Sequence, residues 1–380
     1  MECWEIKDRG FLPVSDPSLG LEGSFFHGSA DFSQYICTLE NLSSNLSNLL
    51  EDRRVREELV FELRSIEGSC HIPPSLSELE LERCMLLYSY FASSYVYATY
   101  EEPATRIPKE IAIPLVEIAR KVKRHPILSY ASYCLTNWRR IDIDKPIALG
   151  NIELLQHFST GEYAVDEAWF ILVHVDIEAK AAKAVEAIRE YPSVSLAGGD
   201  IGAILRTIHK SLLEINKTMD RMTEQCRPEV YFNRVRPYIF GFENVVYESC
   251  FNDEPQSFRG ETGAQSSIVP AVQAALGVKH KQSQLTDHLE VMREYMPDTH
   301  REFIAELEQL PSLRDYVEGR PDLYNDYNTC LEQLIRFRKA HLEYAVNYIQ
   351  KKVTDPKGTG GTPFIPWLSE LVRESEEFYL

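Results

Sequence analysis

Ten histidines are spread through the 380 residues, and two of them stand out by their surroundings. His174 lies in "WFILVHVDIEA" (169–179), an imidazole inside an otherwise apolar stretch. Such a residue is first of all a satisfied core histidine; a metal ligand or a polar group aimed into a pocket are the alternatives. His341 lies in "LEQLIRFRKAHLEYAVNYI", with Leu334, Phe337, Ala345 and Tyr348 on its side of a helix and Arg338 one turn earlier. The histidines form no tight ligand cluster, which argues against a structural zinc site with its four Cys/His ligands. No phosphate-binding glycine loop follows a strand, and neither G-x-S-x-G nor H-E-x-x-H occurs. What remains is chemistry that needs a single protein ligand. Haem b is the leading case, because one axial histidine holds the iron while the macrocycle supplies the other four donors. An arginine at i−3, here Arg338, is placed to pair with a propionate. On spacing alone His209 in "LRTIHKSLLEI" and His300 in "MPDTHREFI" rival His341.

The elements that must position these residues read as helices. Residues 1–36 are rich in Gly, Pro, Ser and Phe and predict loop with a short helix at most. From about 37 to 123 the pattern is helical. "SLSELELERCMLLYSYFASSYVYA" opens with a capping-box arrangement, and "IPKEIAIPLVEIARKVKR" is a helical segment broken by Pro114. "AWFILVHVDIEAKAAKAVEAIREY" predicts one long helix with a buried apolar N-terminal half and a solvent-facing Ala/Lys/Glu half. Three further helices follow in "GDIGAILRTIHKSLLEINKTMDRMTEQC", "QSQLTDHLEVMREYM" and "LYNDYNTCLEQLIRFRKAHLEYAVNYIQKK"; "NVVYESC" is the best strand. Ordered loops are expected at 251–267 and 354–364, and the glycines of the second suit a mobile lid. The expected fold is all-α, with a small N-terminal helical domain (1–135) and a large C-terminal helical bundle (136–380).

The length allows a large core. A formal net charge of −18 argues against nucleic-acid or anionic-membrane partners. No stretch approaches the ~20 apolar residues of a membrane helix. Eight scattered cysteines without an export signal read as free thiols in the cytoplasm, and a monomer is expected.

"YFNRVRPYIFGFENVVYESCFNDEPQSFRGETGAQSS", then "MREYMPDTHREFIAEL", "RKAHLEYAVNYI" and "KGTGGTPF", resemble the indoleamine 2,3-dioxygenase family in order and spacing. "HPILSYASYCLTNW" is similar to the family's segment at the junction of its two domains, and "RGFLPVSDP" to its N-terminal loop. The resemblance spans nearly the whole chain. It implies an all-α, two-domain haem enzyme that uses ferrous haem and O2 to open the pyrrole ring of L-tryptophan, giving N-formylkynurenine. It makes His341 the proximal iron ligand, with Arg338, Ala264 and Ala345 against the cofactor. Arg236 would pair with the substrate carboxylate, and Thr359 of the glycine-rich loop would close over the amino-acid end. Phe170, Tyr130, Tyr133, Tyr231 and Phe232 would wall the substrate, with Thr262 and Gly263 beside it.

His174 aligns with a distal serine of the mammalian members, where the related tryptophan dioxygenases carry histidine. The resemblance thus makes it an acceptor for the indole N–H. This chain departs from the mammalian pattern at three places. Glu261-Thr262-Gly263-Ala264 replaces Gly-Ser-Ala-Gly, Tyr133 replaces a cysteine, and Tyr231 replaces a phenylalanine. These departures leave two alternatives: a different or substituted indole as substrate in secondary metabolism, or a haem-binding protein with little turnover.

Overall fold

The protein is described by a computed structural model covering residues 3–17, 30–66, 71–73, 76–98, 102–352 and 364–380. Five helices come first: α1 (Ala30–Ser44), α2 (Leu46–Glu51), α3 (Val55–Ser65), α4 (Glu78–Val96) and α5 (Lys109–Lys121). They pack mainly on one another, with α4 against α3 and α5. The first helix begins several residues earlier than expected. The capping box is present at the start of α4: Ser77 Oγ accepts from the Glu80 amide, and Glu80 accepts from the Ser77 amide at 2.7 Å. Pro114 does not end α5. The helix runs through it, giving up one backbone hydrogen bond while Ile111, Leu115 and Ile118 stay buried on its inner face.

Nine α-helices follow among the described residues: α6 (Tyr163–Leu196), α7 (Ile201–Met219), a short α8 (Pro228–Val230), α9 (Ile268–Leu276), α10 (Gln284–Arg293), α11 (Asp298–Gln309), α12 (Leu313–Val317), α13 (Tyr324–Tyr348) and α14 (Phe364–Glu376). The fold is therefore all-α in substance. Strands are few and short. β1 (Arg106–Ile107) runs parallel to β4 (Phe242–Tyr247), which pairs antiparallel with β5 (Pro255–Phe258); β2 (Trp138–Arg140) and β3 (Ile152–Leu154) form a separate antiparallel pair.

The 34-residue α6 is the spine. Its C-terminal half differs from expectation. Ala181, Ala184, Val185 and Ile188 are buried; among residues 181–190 Lys183, Arg189 and Glu190 are exposed and Glu186 is half-buried. The reason is α7, which lies along this half and covers its small side chains. α7 and α14 both flank α13, and α9 touches α6, α11 and α13. The space left between α6, α13 and the segment before α9 is where the candidate site lies.

Candidate active site

α13 turns His341, Tyr344, Ala345 and Tyr348 toward a cavity of about 190 Å³, the three- and four-residue spacing of one helix face. α6 contributes Phe170 and His174, one turn apart. A segment ahead of α9 adds Glu261, Thr262, Gly263 and Ala264, and Tyr231 lines the same space. A larger neighbouring cavity of about 760 Å³ shares His174, Gly263, Ala264 and His341 with the first and adds Tyr130, Phe337 and Arg338. Together they offer room for an organic ligand of several hundred Å³.

The two imidazoles differ in what holds them. His174 Nδ1 is 2.7 Å from the Phe170 carbonyl oxygen. A carbonyl only accepts, so Nδ1 carries the proton and Nε2 of the neutral ring is left as an acceptor. Burial lowers the His174 pKa. No hydrogen bond within the described residues engages the His341 ring. Burial first, and the nearby His174 second, lower its pKa to about 4. Both rings are neutral at physiological pH, the state in which an imidazole nitrogen can accept a hydrogen bond or ligate a metal.

The segment 259–267 is held at many points. The Glu261 amide donates to the Ile239 carbonyl at 3.0 Å. Gln265 donates to the Gly260 carbonyl and accepts from the Tyr130 amide, both at 2.9 Å. Ser266 Oγ donates to Glu178 at 2.8 Å, Tyr130 Oη donates to the same carboxylate oxygen at 3.0 Å, and Ser267 Oγ lies 3.1 Å from His300 Nδ1. A Cβ on Gly260 would collide with the Ile239 carbonyl and the Gly241 amide, so glycine permits the close approach. Thr262 Oγ1 accepts from the Ala264 amide at 3.4 Å, capping the turn that presents Gly263 and Ala264.

Two π-helical turns carry further aromatic candidates: Ala131–Leu135, with Tyr133, and Tyr231–Val235, with Tyr231 and Phe232. Such turns are frequent at functional sites because the extra residue redirects side chains. Here they separate the candidates. Tyr231 reaches the cavity, its ring 4.7 Å from that of Phe170. Tyr133 lies one layer deeper, fully buried against Tyr90, Phe158 and Phe170. Phe232 and Arg236 are not on the surface of these two cavities. The buried Arg236 guanidinium lies 4.5 Å from the Phe240 ring centre and 5.6 Å from that of Phe232. Its charge favours ionisation of Tyr231, which places it near that tyrosine.

Arg338 is buried at the margin of the larger cavity. It donates to the Leu371 carbonyl, to Ser375 and to His280, and burial lowers its pKa to about 10. Thr359 and the glycine-rich stretch 353–363 lie outside the described residues. His300 is a core histidine, packed on Trp4 and Phe11. Met219, Met222, His288 and Trp367 also line the smaller cavity and were not legible beforehand. They sit on or beside separate helices that each look like ordinary amphipathic segments.

The indoleamine 2,3-dioxygenase family model matches residues 1–377. The chain belongs to the indoleamine 2,3-dioxygenase family. It is 31% identical over 372 residues to mouse indoleamine 2,3-dioxygenase 1, covering 89% of this chain and 88% of the relative. It is 28% identical to an indoleamine 2,3-dioxygenase of Aspergillus nanangensis, covering 97% and 95%. It is also 24% identical to a 6-hydroxytryptophan 2,3-dioxygenase of Fusarium equiseti, covering 90% and 82%. Membership of the indoleamine 2,3-dioxygenase family places the chain among dioxygenases. No helix among the described residues is long and apolar enough to cross a membrane.

Proposed function

We propose that the protein is a haem-dependent dioxygenase that cleaves the indole C2–C3 bond of L-tryptophan, or of a related indoleamine, with O2 to give N-formylkynurenine. The observation that carries this reading is the pair of half-buried imidazoles, His174 and His341, lining one largely apolar space. The residues fit haem b. His341 offers a ligand nitrogen that no hydrogen bond among the described residues occupies. Ala264 and Ala345 leave room for a flat macrocycle, and Arg338 stands at the margin with an unpartnered Nε suited to a propionate.

Haem, when bound, supplies binding and activation of dioxygen. The chain's own residues orient the other reactant. His174 Nε2 accepts the indole N–H, and the ring is held by its Nδ1 proton on the Phe170 carbonyl. Phe170 and Tyr231 form aromatic walls for the indole. Arg236, beside Tyr231, pairs with the substrate carboxylate, for which a guanidinium is the best geometric match. Thr262 and Gly263 bound the substrate on a rigid turn, and the family resemblance assigns Thr359 to the amino-acid end. The small N-terminal part (1–135) and the larger haem-binding part (136–380) act as two domains of a cytoplasmic monomer in this reading.

The name of the Fusarium relative, a 6-hydroxytryptophan dioxygenase, and the presence of Glu261 in the cavity favour a second reading within the same chemistry, a ring-substituted indole. An absorption spectrum of the purified, haem-supplemented ferrous protein with and without an indole amino acid tests the proposal. A Soret band that shifts with the ligand, and is lost in His341→Ala, is expected. A protein that stays colourless with unchanged melting temperature overturns it.

A further inference from the structure

Arg338 lines the larger cavity and is held there by groups from outside its own helix. Nη1 donates to the Leu371 carbonyl at 3.1 Å and to Ser375 Oγ, both on α14. Nη2 donates to His280 Nε2 at 3.1 Å. Nε is buried and has no hydrogen-bond partner among the described residues. Of the five N–H donors of a guanidinium, these bonds leave Nε–H and the second hydrogen of Nη2. A carboxylate takes two such N–H groups at once.

His280 fixes that arrangement. A guanidinium only donates, so Nε2 of His280 is the acceptor and the proton of the neutral ring sits on Nδ1. Nδ1 in turn donates to Glu374 Oε2 at 2.8 Å. The His280 and Glu374 side chains are only 6% and 3% exposed, so solvent does not replace either bond when it is lost. Burial, and the Arg338 charge after it, lower the His280 pKa, in keeping with the neutral tautomer that the two bonds require. The chain Glu374–His280–Arg338 thus runs from α14, through the segment between α9 and α10, to α13, where Arg338 stands one turn before His341.

We propose that His280, oriented by Glu374, is a positioning residue of the cofactor site: it holds the Arg338 guanidinium so that the two remaining donors meet a haem propionate. The proposal rests on the haem reading of the cavity. It gives His280 no contact with iron or substrate, and its whole effect passes through Arg338. A side chain that orients a ligand-binding group in this way is worth far more than its own hydrogen bond suggests when the group it orients is buried.

The test is Soret titration of the haem-free protein with haemin and with haemin dimethyl ester, whose esterified propionates carry no charge. His280→Leu is expected to weaken haemin binding about 10-fold and ester binding by less than about 2-fold. His280→Gln, which can accept from Arg338 and donate to Glu374, should restore most of the haemin affinity. In an Arg338→Met background His280→Leu should cause no further loss, because the group it acts through is gone. Equal losses for haemin and ester in His280→Leu, the mark of a purely structural role, overturn the proposal and leave the haem site standing. So does an unchanged haemin affinity, or a loss that persists without Arg338, which would mean that His280 binds the cofactor itself. Should His280→Leu fail to fold, Glu374→Gln, which keeps an acceptor for Nδ1–H and removes the charge, takes its place in the same titrations. A loss confined to haemin supports the proposal there, and an equal loss for both ligands, or none, overturns it. A wild type that binds neither ligand overturns the haem reading and this proposal with it.

Discussion

Glu178 is where three parts of the site are tied together, and replacing it by glutamine tests how. Its buried carboxyl accepts from Tyr130 Oη and Ser266 Oγ, so one side chain of α6 holds both the Tyr130 wall and the segment that carries Thr262 and Gly263. Burial pushes its pKa from 4.5 up to about 7, and the two hydrogen bonds offset only part of that. Between those values the native protein keeps a proton that the unfolded chain releases. Stability from this group is fully present below about pH 4.5 and is lost as the pH rises through 7. At about 1.4 kcal/mol per tenfold change in proton affinity, the whole loss is roughly 3 kcal/mol. Glutamine keeps the acceptor oxygen and cannot ionise. Glu178→Gln should therefore stay near wild type at pH 5 and exceed it by roughly 2–3 kcal/mol at pH 8. Urea unfolding of both haem-free proteins from pH 5 to 8, followed by circular dichroism, measures this. The raised Glu167 and Glu261 carboxyls are common to both proteins and cancel in the difference. Stability curves that run parallel across that range refute the reasoning.

His174→Ala removes the acceptor nitrogen and should weaken binding of L-tryptophan by about 5- to 50-fold, with a much smaller loss for 1-methyltryptophan, which has no N–H to donate. Equal losses for the two ligands in a Soret titration would make His174 a packing residue. Arg236→Ala should raise KM for L-tryptophan by about 30-fold or more, the loss of a charge-assisted pair, while tryptamine, without a carboxylate, is affected little. A similar change for both substrates in steady-state assays would remove Arg236 from carboxylate binding.

The chain's own pattern determined the helices and made His341 one of three candidate histidines, among which the family resemblance, not spacing, chose. Apolar residues at three- and four-residue spacing must be buried along one face, and this holds whatever the helix packs against, so α4, α7, α13 and the N-terminal half of α6 are legible as helices. His341 was readable because Phe337, Ala345 and Tyr348 repeat on its face, and all three reach the same pair of cavities. Spacing left His209 and His300 as rivals; the family resemblance set both aside, and the structure places His300 in the core against Trp4 and Phe11. Tertiary structure also decided what no local pattern encodes: that α7 covers the Ala-rich half of α6, that Met219, His288 and Trp367 meet in one space, and that Tyr133 stands behind Phe170. The tautomer of His174 is instead a local feature of α6, set by the Phe170 carbonyl oxygen four residues earlier and 2.7 Å away. Periodicity reports which side of an element avoids water. Which elements then share that dry space is a matter of long-range packing, set by residues far apart in the chain.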